Sequence, residues 1–399
     1  MITLADIEAA RERVAAVVRP TPIDSSSTLS RLAGRTLLFK PEQVQRTGSF
    51  KIRGAFNFIS RLPPGGEVVA ASAGNHAQGV ALAATLTGRR ATIFMPTSAP
   101  LPKVEATKGY GARVRLEGAV VDDCLVAAAE HARSTGATYV PPFDDPLVIA
   151  GQGTVGLEIA EEAGADLEVV VVPVGGGGLI AGVATALAHT RGNVRVVGVE
   201  AAGSAAMTAA MAAGRVVSVD DVATMADGIA VRRVSDLTLA HARAYVDEVV
   251  AVTEEEISRA LLLLIERSKA VVEPAGAVGL AAILAGRVPG RGAALAVLSG
   301  GNVDPLLLTK LIDHGLSAAG RYLLVRVVLG DQPGALASLT AAVAEMGLNV
   351  LEVEHHRSGL RLGLHEVEVL LTLETLDPEH RCDIVATLQE AGFRVEPLP

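Results

Sequence analysis

Apolar positions follow two alternating rhythms along this chain. Near-continuous runs of Val, Ala, Leu and Ile fall at 37–40, 67–71, 91–95, 112–116, 137–140, 167–174, 194–199 and 293–298. Between them apolar residues return every three or four positions. Ile7, Val14, Val17 and Val18 share one side of a helix over 4–18, and Ile257, Leu261, Leu264 and Ile265 mark another. Further helices are expected over 102–108, 121–133, 156–163 and 179–188, with a break at the prolines of 141–146. The run 167–174 carries Val at 169, 170, 171, 172 and 174, the pattern of a strand buried on both faces. Strands alternating with helices in this way predict an α/β fold with open, parallel-stranded sheets covered on both sides.

Beyond about residue 321 the rhythm changes. Strand 322–329, helix 334–346, strands 349–355 and 364–373, helix 378–391 and strand 393–397 spell βαββαβ, a ferredoxin-like α+β module. Residues 317–320 form the expected hinge.

Composition narrows the function classes. A chain of 399 residues suggests two or three domains. The net charge is −9, and no basic stripe is interleaved with aromatics, so nucleic acid is not an expected partner. Acidic residues near the N-terminus and the lack of a membrane-length apolar run predict a cytoplasmic protein without membrane attachment. Cys124 and Cys382 lie far apart and form no ligand spacing; both read as ordinary buried thiols, and no metal site is expected.

Candidate chemistry lies where strands hand over to helices. In Gly48-Ser49-Phe50-Lys51-Ile52-Arg53-Gly54-Ala55, Ser49 reads as the N-cap of a helix running to Ser60. Lys51 is either a solvated charge or a desolvated amine suited to attack an aldehyde. Its flanking glycines would admit a close neighbour. The four glycines 175–178 follow a buried strand and open a helix, either as a tight turn or as a phosphate cradle of N–H groups. Gly176, Gly178 and Ala181, with Glu200 a strand later, also satisfy a dinucleotide fingerprint. That reading gives Lys51 no role. Ser72-Ala73-Gly74-Asn75-His76-Ala77-Gln78-Gly79 forms another strand-to-helix junction. Ser299-Gly300-Gly301-Asn302 closes the last apolar run.

Together, the segment 45–55, the segment 72–79, residues 175–179 and Ser299-Gly300-Gly301-Asn302 resemble the threonine dehydratases (threonine ammonia-lyases). These are pyridoxal-phosphate enzymes of the tryptophan-synthase-β fold type, and the likeness spans about residues 5–315. It implies a catalytic region over 1–316, with a small domain (43–147) inserted into a larger one (1–42 and 148–316). It also implies that Lys51 carries pyridoxal 5′-phosphate as a Schiff base and then serves as base at Cα. Gly175, Gly176, Gly177, Gly178 and Leu179 would bind the phosphate, Asn75 the ring O3′ and Ser299 the pyridine nitrogen, with Phe50 behind the ring. Ser72, Ala73, Gly74, Asn75 and His76 would hold the substrate carboxylate. The implied reaction is deamination of threonine, and of serine less well, to the 2-oxo acid and ammonia.

Serine racemase resembles the same segments. It carries a serine where this chain has Ala73, and its metal site needs an Asp where this chain has Ala206. Racemisation and a metal at Glu200 are therefore disfavoured. Residues 321–399, with Asp331-Gln332-Pro333-Gly334-Ala335-Leu336 at a strand-to-helix turn, resemble an ACT domain. Asp331, Gly334, Ala335, Leu336 and Asn349 would then be the effector site, with isoleucine or valine as effector by analogy. A non-catalytic amino-acid sensor is the remaining alternative, against which Lys51, Asn75 and Ser299 speak. A homodimer or homotetramer is expected.

Overall fold

The structure, a computed structural model, describes residues 1–318, 320–357 and 362–398. The chain divides into two compact units, Met1–Leu308 and Thr309–Pro399. Ten strands of the first unit make two sheets: β1 (Asp24–Ser25), β2 (Leu37–Lys40), β3 (Glu67–Ala71), β4 (Arg90–Met95), β5 (Arg113–Leu116), β6 (Thr138–Tyr139), β7 (Leu167–Pro173), β8 (Arg195–Ala201), β9 (Glu248–Val252) and β10 (Ala293–Val297). The larger sheet has the order β1-β2-β10-β7-β8-β9 and is parallel except for β1. The smaller has the order β5-β4-β3-β6 and is parallel throughout. After β2 the chain builds the whole smaller sheet before returning at β7.

β7 explains its own sequence. It is paired on both sides, and Val169, Val170, Val171 and Val172 are fully buried. Each such valine contributes roughly 1.5 kcal/mol of apolar burial. Parallel strands end on the same side of a sheet. The segments that follow β7 and β10 are therefore delivered to one edge, where ligands of open α/β sheets collect.

The Lys51–Ile59 helix packs against both the Asn75–Leu86 and the Pro146–Glu162 helices. Small residues permit this approach: a Cβ on Gly54 would lie 2.8 Å from Val148 O, and one on Gly151 only 2.6 Å from Arg53 O. The neighbours admitted by Gly48 and Gly54 are thus protein groups, Asn302 and Gln152.

Several local expectations shift. The first helix spans Leu4–Val14 rather than 4–18, although Val17 is still buried. Cys124 is buried, but Cys382 is exposed, on the helix Pro378–Glu390. Ser49 is extended and caps nothing; Phe50 occupies the N-cap without a side-chain bond. The prolines of 141–146 break the chain only briefly. Pro146 sits in the first turn of a helix running to Glu162, with Asp145 accepting from Leu147 N at 2.7 Å. The apolar pattern also gave no warning of helices Ser27–Ala33, Ala206–Ala213, Asp236–Tyr245 and Pro274–Leu284, or of β9.

The second unit contains β11 (Tyr322–Gly330), β12 (Val350–His356), β13 (Glu366–Glu374) and β14 (Arg394–Pro397) in the antiparallel order β12-β13-β11-β14. Helices Ala335–Glu345 and Pro378–Glu390 complete the βαββαβ order. β11 and β13 alternate cleanly, with Leu323, Val325, Val327, Val369, Leu371 and Leu373 in the core and the intervening residues half-buried. Residues 317 and 318 of the expected hinge lie in the Pro305–Ala318 helix, and Ala319 lies outside the described residues. Among the described residues no helix is long and apolar enough to cross a membrane.

Candidate active site

Lys51 is the first residue of its helix, and its amine donates to Pro142 O at 3.0 Å. Enclosure in protein pushes the amine down to about 8, with the charge of Glu273 resisting. Its Nζ lies 5.2 Å from the centre of the Phe50 ring. The residue after its acceptor, Phe143, lies on the glycine turn: a Cβ on Gly176 would be 2.1 Å from the Phe143 ring, and one on Gly178 2.9 Å from Phe143 Cβ. A single residue step therefore connects the lysine's acceptor with the tetraglycine segment.

Four glycines are required at that turn because each faces a close neighbour or needs a special backbone. Gly175 faces Ile229, Gly176 and Gly178 face Phe143, and Gly177 has φ +89° with Met207 and Thr238 beside it. The Gly178–Thr190 helix begins there. Its first-turn N–H groups have no intrahelical acceptor and carry the positive end of the helix dipole. Leu179 is anchored in the core of the larger sheet.

Ser299 and Gly300 enter from the end of β10. Phe50 N donates to Ser299 O at 3.2 Å, Gly301 N to Gly48 O at 2.9 Å, and Ser49 forms an isolated antiparallel bridge with Gly300. The segments around Lys51 and Ser299 are thereby stitched together by main chain. From the β3 end, Asn75 joins the same place. Its Oδ1 accepts from Asn302 Nδ2 at 2.8 Å, and its Nδ2 donates to Glu273 Oε1 at 2.6 Å. Gly74 N donates to the Ser72 hydroxyl at 3.1 Å. His76 turns away: its ring Nε2 donates to Val140 O at 2.9 Å. Burial and the nearby Lys51 charge push it down to about 3, so the imidazole is neutral at physiological pH. Any part of His76 in anion binding falls to its main chain.

Behind the lysine lies a buried ionic lattice. Arg53 makes paired hydrogen bonds to Glu42 at 2.8 and 2.8 Å and to Glu158 at 2.6 and 3.0 Å, and also donates to Thr154. Lys40 pairs with Glu158 at 2.8 Å, and Thr21 donates to Glu42 at 2.6 Å. Arg53, Glu42 and Lys40 are fully buried. The two carboxylates hold the Arg53 guanidinium above its usual range despite burial. This lattice fixes the helix that presents Lys51.

Glu200 at the end of β8 is fully engaged, accepting from Met207 N, Thr208 N and the Thr208 hydroxyl at 2.7–2.9 Å. It caps the next helix. Among the described residues no group of three or more His, Cys, Asp or Glu is arranged to hold a metal.

Residues 14–300 match the family described as pyridoxal-phosphate dependent enzyme. The chain belongs to the pyridoxal-phosphate-dependent enzymes. Residues 323–381 match the ACT domain. The chain is 47% identical over 399 residues to L-threonine ammonia-lyase of Thermotoga maritima, covering 99% of each sequence. Among solved structures it resembles the processed form of threonine deaminase isoform 2 from Solanum lycopersicum (TM-score 0.74, 39% identity, 78% of this chain and 92% of that one). It also resembles maize serine racemase (TM-score 0.74, 35% identity, 79% and 98%).

The residues present fit the cofactor of this pyridoxal-phosphate-dependent enzyme. Its site needs an amine of lowered basicity, an anion cradle free of side chains and uncharged groups for the ring. Lys51, the four-glycine turn, and Asn75 with Ser299 are of those kinds. The buried Ser49 hydroxyl, which has no partner among the described residues, leaves a further donor beside the lysine. Sequence reasoning missed two members of this constellation, Glu273 and Asn302's contact with Asn75. Nothing in the sequence pattern marks the Glu ahead of Pro274, and only the fold brings it to Asn75.

In the ACT unit the expected effector residues lie at one turn and one strand start. Gly334 has φ +92° and is the N-cap of Ala335–Glu345, while Ala335 and Leu336 open that helix. Asp331 pairs with Arg357 at 3.3 Å, and Asn349 donates to Glu374 at 3.1 Å. His355 and His356 of β12 are both exposed.

Proposed function

We propose that this chain is an L-threonine ammonia-lyase converting L-threonine to 2-oxobutanoate and ammonia, with L-serine, giving pyruvate, as the second substrate. The observation that carries the reading is the convergence of Lys51 and the tetraglycine turn through Pro142 and Phe143. The full-length likeness to a relative named L-threonine ammonia-lyase supports it.

Lys51, Phe50, Asn75, Ser299, Gly175, Gly176, Gly177, Gly178 and Leu179 would hold pyridoxal phosphate. When bound, the cofactor supplies the electron sink that acidifies the substrate Cα–H. The N–H groups of the glycine turn orient its phosphate, and Ser299 offers the pyridine nitrogen an uncharged partner. Lowered to about 8, Lys51 has a neutral fraction at pH 7 roughly 300-fold larger than at the ordinary lysine value of 10.5, which suits it to take the Cα proton. The amides of 72–76 hold the substrate carboxylate. The Ala73 side chain carries no proton donor or acceptor, so that position cannot return a proton to the opposite face of Cα. Loss of the β-hydroxyl is then favoured over racemisation.

In this reading residues 43–147 are a small domain inserted in the catalytic region, and the ACT domain senses isoleucine or valine at Asp331, Gly334, Ala335, Leu336 and Asn349. The protein works in the cytoplasm as a homodimer or homotetramer, in isoleucine supply. Steady-state formation of 2-oxobutanoate and pyruvate, with and without isoleucine, tests the assignment. Chiral analysis of serine after incubation tests the racemase alternative. Appearance of D-serine without 2-oxo acid would overturn the lyase reading.

A further inference from the structure

Glu273 stands at the N-cap of the Pro274–Leu284 helix, yet its side chain makes no capping bond. It is 4% exposed, so its carboxyl is withdrawn from water. Its main-chain N donates to Gly300 O at 3.0 Å, and its Oε1 accepts from Asn75 Nδ2 at 2.6 Å. Asn75 is held at its other end by Asn302, whose Nδ2 also donates to Thr47 O at 2.6 Å. With an acceptor on Nδ2 and a donor on Oδ1, the orientation of the Asn75 amide is fixed, and one N–H is left over. The two groups meet above Gly300: a Cβ there would be 2.4 Å from Glu273 Oε1 and 2.8 Å from Asn75 Nδ2. A carboxyl that neither caps its helix nor is fully ion-paired is a poor choice for stability alone. Its placement serves Asn75.

We propose that Glu273 is a positioning residue of the cofactor site, fixing the Asn75 amide with one N–H left for the cofactor ring. This inference rests on the reading that Lys51 carries the cofactor. Titration of the groups agrees with the geometry. Burial, with the Asp227 charge adding to it, pushes Glu273 up to about 7, while the Asn75 hydrogen bond, Lys103 and Lys51 pull the other way. Lys51 in turn is pushed down to about 8 by burial, and Glu273 is the charge that opposes the fall. His76, on which the Lys51 charge acts, is neutral in this range. Each of the two charges thus opposes the burial shift of the other.

The test is made on the full-length apoenzyme. Acetic anhydride labelling of Lys51 against pH, read by mass spectrometry, gives the midpoint of its amine without any turnover. Glu273→Gln keeps an acceptor for Asn75 and removes the charge. It is expected to lower the midpoint by on the order of one pH unit while pyridoxal phosphate affinity, followed by absorbance, stays within about threefold of the parent. Glu273→Ala removes both and is expected to lower the midpoint equally and weaken the affinity at least about tenfold. A pyridoxal phosphate affinity of folded Glu273→Ala within about threefold of the parent overturns the proposal. Should that variant not fold, Glu273→Asp keeps the charge but draws the acceptor back from Asn75. Pyridoxal phosphate affinity is then expected to fall at least about fivefold, and an unchanged affinity overturns the proposal. Borohydride reduction of the parent holoenzyme tests the Lys51 reading separately, because the apoenzyme labelling is decided by Glu273 wherever the cofactor attaches.

Discussion

The Lys51 site and the ACT unit are built from similar elements and treat charge in opposite ways. Around Lys51, ionisable groups are taken out of water: Arg53, Glu42 and Lys40 are fully buried, and Lys51, His76 and Glu273 are pushed far from their ordinary values. In the ACT unit charged side chains stay in the solvent layer. Asp331 and Arg357 pair at the surface, and Arg394 and Glu366 do likewise. The buried residues of β11 and β13 are a plain apolar stripe. Chemistry needs the first arrangement, because a charge is shifted farthest where water is excluded. A module that only folds and docks a small ligand manages with the second.

This contrast is broken most severely at the lysine. Lys51→Ala is expected to lower 2-oxobutanoate formation by at least about 10³-fold, or about 4 kcal/mol in the barrier. Its circular dichroism and melting curve should stay near those of the parent, since the lattice behind it is untouched. A variant retaining more than a tenth of the activity would count against the site.

Arg53→Met is expected to leave Glu42 and Glu158 buried without their partner and to destabilise the catalytic region by about 3–5 kcal/mol in denaturant unfolding. A loss below about 1 kcal/mol would mean that the lattice is solvated. His76 supplies the pH dependence. Its folded value of about 3 lies below the ordinary 6.5, so the unfolded chain binds more protons between these values and stability falls as pH drops through that window. His76→Gln should flatten this acid limb by up to about 2 kcal/mol between pH 6.5 and 5. An unchanged slope would place that loss elsewhere.

At the other pole, Asp331→Asn breaks only a surface pair and should change stability by less than about 1 kcal/mol. It is expected to raise the isoleucine concentration needed for half-maximal response. An unaltered response would move the effector site away from that turn.

Legibility followed the same division. β7, with its valines buried on both faces, and the alternating strands β11 and β13 were readable because a periodic pattern needs no knowledge of distant partners. Lys51, Asn75, the glycine turn and Ser299 stood out through motif and resemblance. What the chain hid depends on neighbours far away in sequence. Ser49 looks like a cap, yet it is drawn into a bridge with Gly300 and caps nothing. Pro146 looks like a breaker, yet as a first-turn residue it starts a helix. Glu273 carries no local signal, and its partner is Asn75, 198 positions away. Tertiary contacts override local preference at such places, and two of these three adjoin the site.

The most direct measurement is borohydride reduction of the pyridoxal-phosphate-loaded protein, followed by digestion and mass mapping of the modified lysine. A single adduct on the peptide containing Lys51 is the result expected. An adduct on any other lysine, with Lys51 recovered unmodified, would contradict the assignment of the site.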